Sequence, residues 1–112
     1  MDVFYALAEP TRRGIIELLA EQGRLPSSAI ARRFRSTPSA ISQHLKVLRE
    51  AQLVRMEKRK QQRIYYLNPE GMQEVEDWIK KLSEEWEARF QRLDDLLKEE
   101  QRREKHHGKR RK

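Results

Sequence analysis

Ser39, Ser42, Gln43 and Lys46 crowd into one stretch of eight residues, with Thr37 just before it. A carboxamide donates and accepts hydrogen bonds at once, a hydroxyl adapts to either role, and a lysine ammonium reaches out on a flexible stem. These side chains can pair with the edges of nucleic-acid bases: Gln in bidentate fashion with adenine, Ser with donor or acceptor, Lys with guanine or phosphate. Any one of them alone would merely solvate a surface. A second concentration lies nearby, Lys58-Arg59-Lys60-Gln61-Gln62-Arg63, with four positive charges and no acid between them. Charge of a single sign suits a clamp on phosphate or on a minor groove. Protection of a strand edge rarely calls for one sign only.

Both groups need elements that aim them outward. Thr37-Pro38 is an N-cap followed by a first-turn proline, and Ile41, Leu45 and Leu48 then repeat at helical spacing, which predicts a helix over 37–51. With that stripe facing inward, Ser39, Ser42, Gln43 and Lys46 lie on the solvent side and His44 falls between the two faces. A short helix over 27–34 precedes it, carrying Ile30 and Phe34 on one face, and Arg35-Ser36 is the turn. Two short helices joined by a tight turn, the second polar on its outer face, have the layout of a helix-turn-helix. After Ala51, Leu53-Val54-Arg55-Met56-Glu57 and Arg63-Ile64-Tyr65-Tyr66-Leu67 read as a two-stranded hairpin whose end is the cationic cluster.

Upstream, Asp2 caps a short first helix that turns Val3, Phe4 and Leu7 to one side. Pro10 starts a second helix with Ile15, Ile16, Leu18 and Leu19 as its apolar stripe and Gly23 at its C-terminal end. Downstream, Asn68-Pro69 opens a long helix in which Val75, Ile79, Leu82, Trp86, Phe90, Leu93 and Leu97 follow one another at spacings of three or four. That stripe is longer than the head of the protein can cover. Residues 102–112 contain no apolar side chain and are expected to form a basic, disordered tail able to track phosphates. The expected organisation is one domain over 1–101 followed by this tail.

Charge is distributed in blocks. Residues 1–69 carry a net charge of +7, residues 70–101 one of −6 and residues 102–112 one of +6. An anionic polymer would meet the head and be repelled by the middle of the long helix. The chain contains no cysteine, which removes disulfides, thiolate nucleophiles and thiolate metal sites. No apolar run approaches the roughly 20 residues that cross a bilayer, and no signal-peptide layout stands at the start, so a cytoplasmic protein without a membrane partner is expected. Acid pairs such as Glu84-Glu85 and Asp94-Asp95 belong to a solvated helix face, and no reactive cluster suggests an enzyme. His106-His107 sits among lysines and arginines, which oppose a cation. Neither metal nor other cofactor is expected. Trp78, Trp86 and Phe90 could line a cavity for an inducer, although aromatics at helical spacing ordinarily pack at an interface.

The chain resembles the ArsR/SmtB family of winged-helix repressors over nearly its full length. The resemblance is carried by Val3-Phe4-Tyr5-Ala6-Leu7-Ala8-Glu9-Pro10-Thr11-Arg12-Arg13, by Ser42-Gln43-His44-Leu45-Lys46-Val47-Leu48-Arg49-Glu50-Ala51-Gln52-Leu53-Val54, and by Tyr65-Tyr66-Leu67. The middle stretch is the most specific. It implies a mainly α-helical winged helix-turn-helix with a small β-hairpin, paired as a homodimer through its first and last helices, and repression by occluding a promoter on double-stranded DNA. The aromatic-rich final helix is similar to the branch in which several members repress their own operons. Metal-sensing members place cysteines where this chain has Pro26-Ser27-Ser28, or Asp and His along the final helix, where residues 70–101 have no His. The chain departs from many members at Pro38-Ser39, where they have a polar residue and then proline, and in lacking a glycine over 58–62.

The expected DNA-binding residues are therefore Thr37, Ser39, Ser42, Gln43, His44, Lys46, Lys58, Arg59, Lys60, Gln61, Gln62 and Arg63. The expected dimer seam comprises Val3, Phe4, Leu7, Val75, Ile79, Leu82, Trp86, Phe90, Leu93 and Leu97. The alternative is a non-enzymatic winged-helix module for RNA or a protein partner, its basic surface serving only to steer encounter.

Overall fold

The structure, a computed structural model, describes residues 2–110, with side chains described through residue 105. Helix α1 (Val3–Leu7) is capped by Asp2, whose carboxylate accepts from the Phe4 amide at 3.2 Å. Its buried residue is Ala6, whereas Phe4 is half exposed and Val3 and Leu7 are half-buried against the core. Helix α2 (Pro10–Gln22) begins at the expected proline and ends at Gly23, whose φ of 87° is left-handed and free of strain in glycine. Ile15 and Leu19 on α2 join Ile30, Ile41, Leu45, Leu48 and Leu53 as the large, fully buried side chains of one core.

Helices α3 (Ser27–Arg33) and α4 (Pro38–Glu50) form the expected pair. Thr37 Oγ1 accepts from the Ala40 amide at 3.1 Å, which satisfies one of the orphan donors at the start of α4. Both helices end in the same double hydrogen bond. Arg35 N donates to Arg32 O and Ser36 N to Ala31 O after α3; Gln52 N donates to Arg49 O and Leu53 N to Leu48 O after α4. The motif requires a left-handed residue and usually takes glycine. Here Arg35 (φ 50°) and Gln52 (φ 64°) fill it.

The expected two-stranded hairpin is a three-stranded antiparallel sheet. Strands β2 (Val54–Arg59) and β3 (Gln62–Leu67) make the hairpin, and β1 (Arg24–Pro26) pairs with the other edge of β3, in the order β1-β3-β2. Pro26 lies opposite Ile64, an edge position where a missing N–H is tolerated. Lys60 (φ 54°) takes the left-handed place at the hairpin turn in the absence of a glycine.

Helix α5 runs Pro69–Arg110. Contacts divide the chain into two units, Met1–Val75 and Glu76–Lys112. Within the first, Asn68 is buried and bridges the end of α4 to the start of α5: its Nδ2 donates to Gln52 O at 2.8 Å and its Oδ1 accepts from the Glu70 amide at 3.3 Å. The second unit is a single helix with Ile79, Leu82, Trp86, Phe90, Leu93 and Leu97 about half exposed or more. The disordered tail is corrected through Arg110: the helix continues, because Arg, Lys, Glu and Gln are strong helix formers and because Arg103 pairs with Glu99 at 3.3 Å, one turn back. Residues 111 and 112 lie outside the described residues, and so do the side chains of His106 and His107.

Candidate nucleic-acid interface

The outward face of α4 presents the side chains foreseen for it. Ser39, Ser42, Gln43 and Lys46 are all exposed, while Ile41, Leu45 and Leu48 are at most 1 % exposed, so the helix is divided cleanly into a core face and a free face. Thr37 is exposed too; its oxygen serves as the helix cap, and its hydroxyl proton remains for an outside acceptor.

His44 stands apart from this set. It is half-buried, and its Nδ1 lies 3.3 Å from Arg12 Nη1 and 3.8 Å from Glu9 Oε2, so the ring is turned back toward α2. Glu9 is the N-cap of α2 and accepts from the Arg12 amide at 2.9 Å. Burial works to raise the Glu9 carboxyl, but the bond from the Arg12 amide, the charge His44 carries when its ring is protonated and bonds from Thr11 outweigh it. The net effect holds the group below its ordinary value.

The wing tip is open to solvent. Lys58, Arg59, Lys60, Gln61, Gln62 and Arg63 are all exposed. Lys58 stands directly opposite Arg63 in the ladder, an arrangement of like charges that costs stability. Glu57 neutralises only part of the cluster, through Arg59 at 3.6 Å, and shares its carboxylate with Arg24 of β1 at 2.8 Å. Among the described residues, Lys58, Lys60 and Arg63 have no ion-pair partner.

Between α4 and the wing lies a cleft of about 160 Å³ lined by Ser27, Ser28, Pro38, Ser42, Arg63 and Tyr65. It joins the two sequence-predicted groups through Ser42 and Arg63, and it adds Ser27 and Ser28, which sequence reasoning missed. The missing signal was strand β1: pairing of Pro26 with Ile64 carries the serine pair to the side of Arg63, and a three-residue strand containing proline has no pattern to reveal it. The hydroxyls and guanidinium of this cleft can hold a phosphate.

Residues 7–57 match the helix-turn-helix domain family. The chain is 38% identical over 79 residues to the transcriptional repressor SdpR of Bacillus subtilis, covering 70% of this chain and 86% of that protein. Among solved structures it is similar to a possible transcriptional regulator for arsenical resistance, at 38% identity and a TM-score of 0.67, covering 73% of this chain and 84% of the other. It is also similar to an ArsR family transcriptional regulator, at 30% identity and a TM-score of 0.67, covering 75% and 86%. With a capped helix-turn-helix, a cationic wing and relatives matched over most of their length, the chain belongs to the ArsR/SmtB family of winged helix-turn-helix transcriptional regulators.

Proposed function

We propose that the protein is a repressor that binds an imperfect palindrome in double-stranded DNA as a homodimer, each α4 entering a major groove while the wing holds the flanking backbone. The observation that carries this is the exposed row Ser39, Ser42, Gln43 and Lys46 beside a wing whose charge is largely uncompensated inside the molecule. Ser42 and Gln43 read base edges; Lys58, Lys60 and Arg63 hold phosphates, with Ser27 and Ser28 seating one of them in the cleft. His44 supports α4 from behind.

The second copy is called for by the apolar stripe of α5. A helix exposing Leu82, Trp86, Phe90, Leu93 and Leu97 in water needs a partner to cover them, and a second copy offers the same stripe. Phe4 and the distal stripe contribute most of the seam, since Val3, Leu7 and Val75 are already half-covered by their own core. Two heads then meet half-sites about one helical turn, roughly 34–36 Å, or a multiple of it apart. An operator overlapping a promoter excludes polymerase.

Selection of bound duplexes from a random library tests this reading. A palindromic motif is expected. Gln43→Ala should relax preference within each half-site, and Lys60→Ala should weaken every duplex alike. Selection without sequence enrichment, or a stable monomer at micromolar concentration, would overturn it.

A further inference from the structure

Arg12 is the one buried charged side chain among the described residues, 8 % exposed, and it has no carboxylate partner. An unpaired cation in that position is costly unless its donors are all used. Its Nε donates to Ala6 O at 2.7 Å and its Nη2 to Tyr5 O at 3.1 Å, while the guanidinium carbon lies 5.2 Å from the centre of the Tyr5 ring. The remaining branch, Nη1, reaches His44 Nδ1 on α4 at 3.3 Å. One side chain of α2 is thus bonded to the end of α1 and to the helix that carries the exposed polar row.

The chemistry of the pair is directional. A guanidinium only donates, so in the neutral ring Nδ1 of His44 accepts and the proton sits on Nε2. His44 lies next to Gln43 and two residues after Ser42. Holding its ring therefore fixes the roll of α4 about its own axis. Groups that recognise a ligand must be held to within about 0.5 Å and 10–20° of their productive geometry. The apolar face of α4 alone, built from aliphatic side chains, tolerates small rolls more readily than a directional hydrogen bond does.

We propose that Arg12 is a positioning residue for sequence readout: through His44 it sets the roll of α4, and so where Ser42, Gln43 and Lys46 meet base edges, and it ties that roll to α1. The inference rests on α4 being the recognition helix. It goes beyond that reading by assigning a role to two residues that need touch no DNA, and by making any displacement of α1 felt at the bases.

The test uses the full chain and the duplex enriched by selection, with random duplex for comparison at the same salt. His44→Asn keeps an acceptor close to the position of Nδ1; His44→Leu removes it and fills the space. The asparagine variant should bind the selected duplex within about twofold of the parent, whereas the leucine variant should lose tenfold or more. Both should bind random duplex like the parent, because the phosphate contacts are untouched. Arg12→Gln should reproduce the leucine loss, and the double variant should lose no more than Arg12→Gln alone. If Arg12→Gln does not fold, the two His44 variants decide.

The positioning role is overturned if His44→Leu binds like the parent. It is also overturned if His44→Asn loses as much as His44→Leu, which would make the imidazole itself a DNA contact, or if random duplex is lost in parallel, which would mean general damage. Gln43→Ala separates the two layers of inference. Unchanged discrimination in that variant overturns the reading of α4 itself; a Gln43 effect without a His44 effect overturns only the role of Arg12.

Discussion

Replacing Gly71 by alanine sets two physical effects against each other. Gly71 lies in the first turn of α5, and helix propensity alone makes Gly→Ala favourable there by about 1 kcal/mol. The neighbouring turn says otherwise. A Cβ at this position would stand 1.9 Å from the carbonyl oxygen of Gln52 and 2.9 Å from its carbon, against the 3.4–4 Å of ordinary contact. The carbonyl belongs to backbone already held left-handed after α4, so it cannot swing aside as a side-chain tip would. It is also the acceptor for the buried Asn68 amide at 2.8 Å, and displacing it by roughly 1.5 Å breaks that bond. Overpacking costs about 1–3 kcal/mol, and leaving a buried amide unsatisfied a further ~1–3 kcal/mol. After the propensity gain the net destabilisation should be about 1–5 kcal/mol. Urea denaturation followed by circular dichroism, at one fixed protein concentration because pairing adds to stability, reads this directly. A Gly71→Ala protein as stable as the parent, or more stable, would refute the reasoning and show that α5 does not approach the end of α4 as described.

Three further perturbations have definite signs. Gln52→Gly should stabilise the fold by roughly 0.5–1 kcal/mol, since relief of the left-handed position exceeds the entropy that glycine adds to the unfolded chain; a melting temperature that falls would contradict it. Lys60→Gly should stabilise by a similar margin, about 0.5–1 kcal/mol, while weakening all duplexes alike and reducing the slope of log affinity against log salt by about 0.9; loss confined to one base position would contradict the phosphate role. The Glu9 carboxyl is held below its ordinary value in the folded state, so its contribution is complete above the ordinary carboxylate range and is lost as pH falls through the folded value. Glu9→Gln should therefore make the acid limb of the stability profile shallower, and an identical limb in the variant would count against the cap.

Local pattern made the reading head legible. Ile41, Leu45 and Leu48 recur at helical period behind a Thr-Pro start, so both the existence of α4 and its free face follow from spacing and sterics. The cationic wing was legible from charge of one sign. Features that depend on partners distant in sequence were not. Strand β1 exists because β3 offers it an edge, and it brings Ser27 and Ser28 to the interface with it. Spacing alone puts His44 between the two faces and leaves it among the expected DNA contacts, because its partners, Arg12 and Glu9, lie some thirty residues earlier in the chain. Absence of apolar side chains over 102–110 suggested disorder, yet a long helix already nucleated needs only good helix formers and ion pairs to propagate. Left-handed backbone at Arg35, Gln52 and Lys60 had no glycine to announce it.

The central claim is that the free face of α4 lies in a major groove. Methylation interference on the selected duplex tests it most directly, because methyl groups at guanine N7 occupy the major groove and those at adenine N3 the minor groove. The account predicts that guanine N7 methylation within each half-site blocks binding by the parent. Interference confined to adenine N3, or absent from every base, would contradict it.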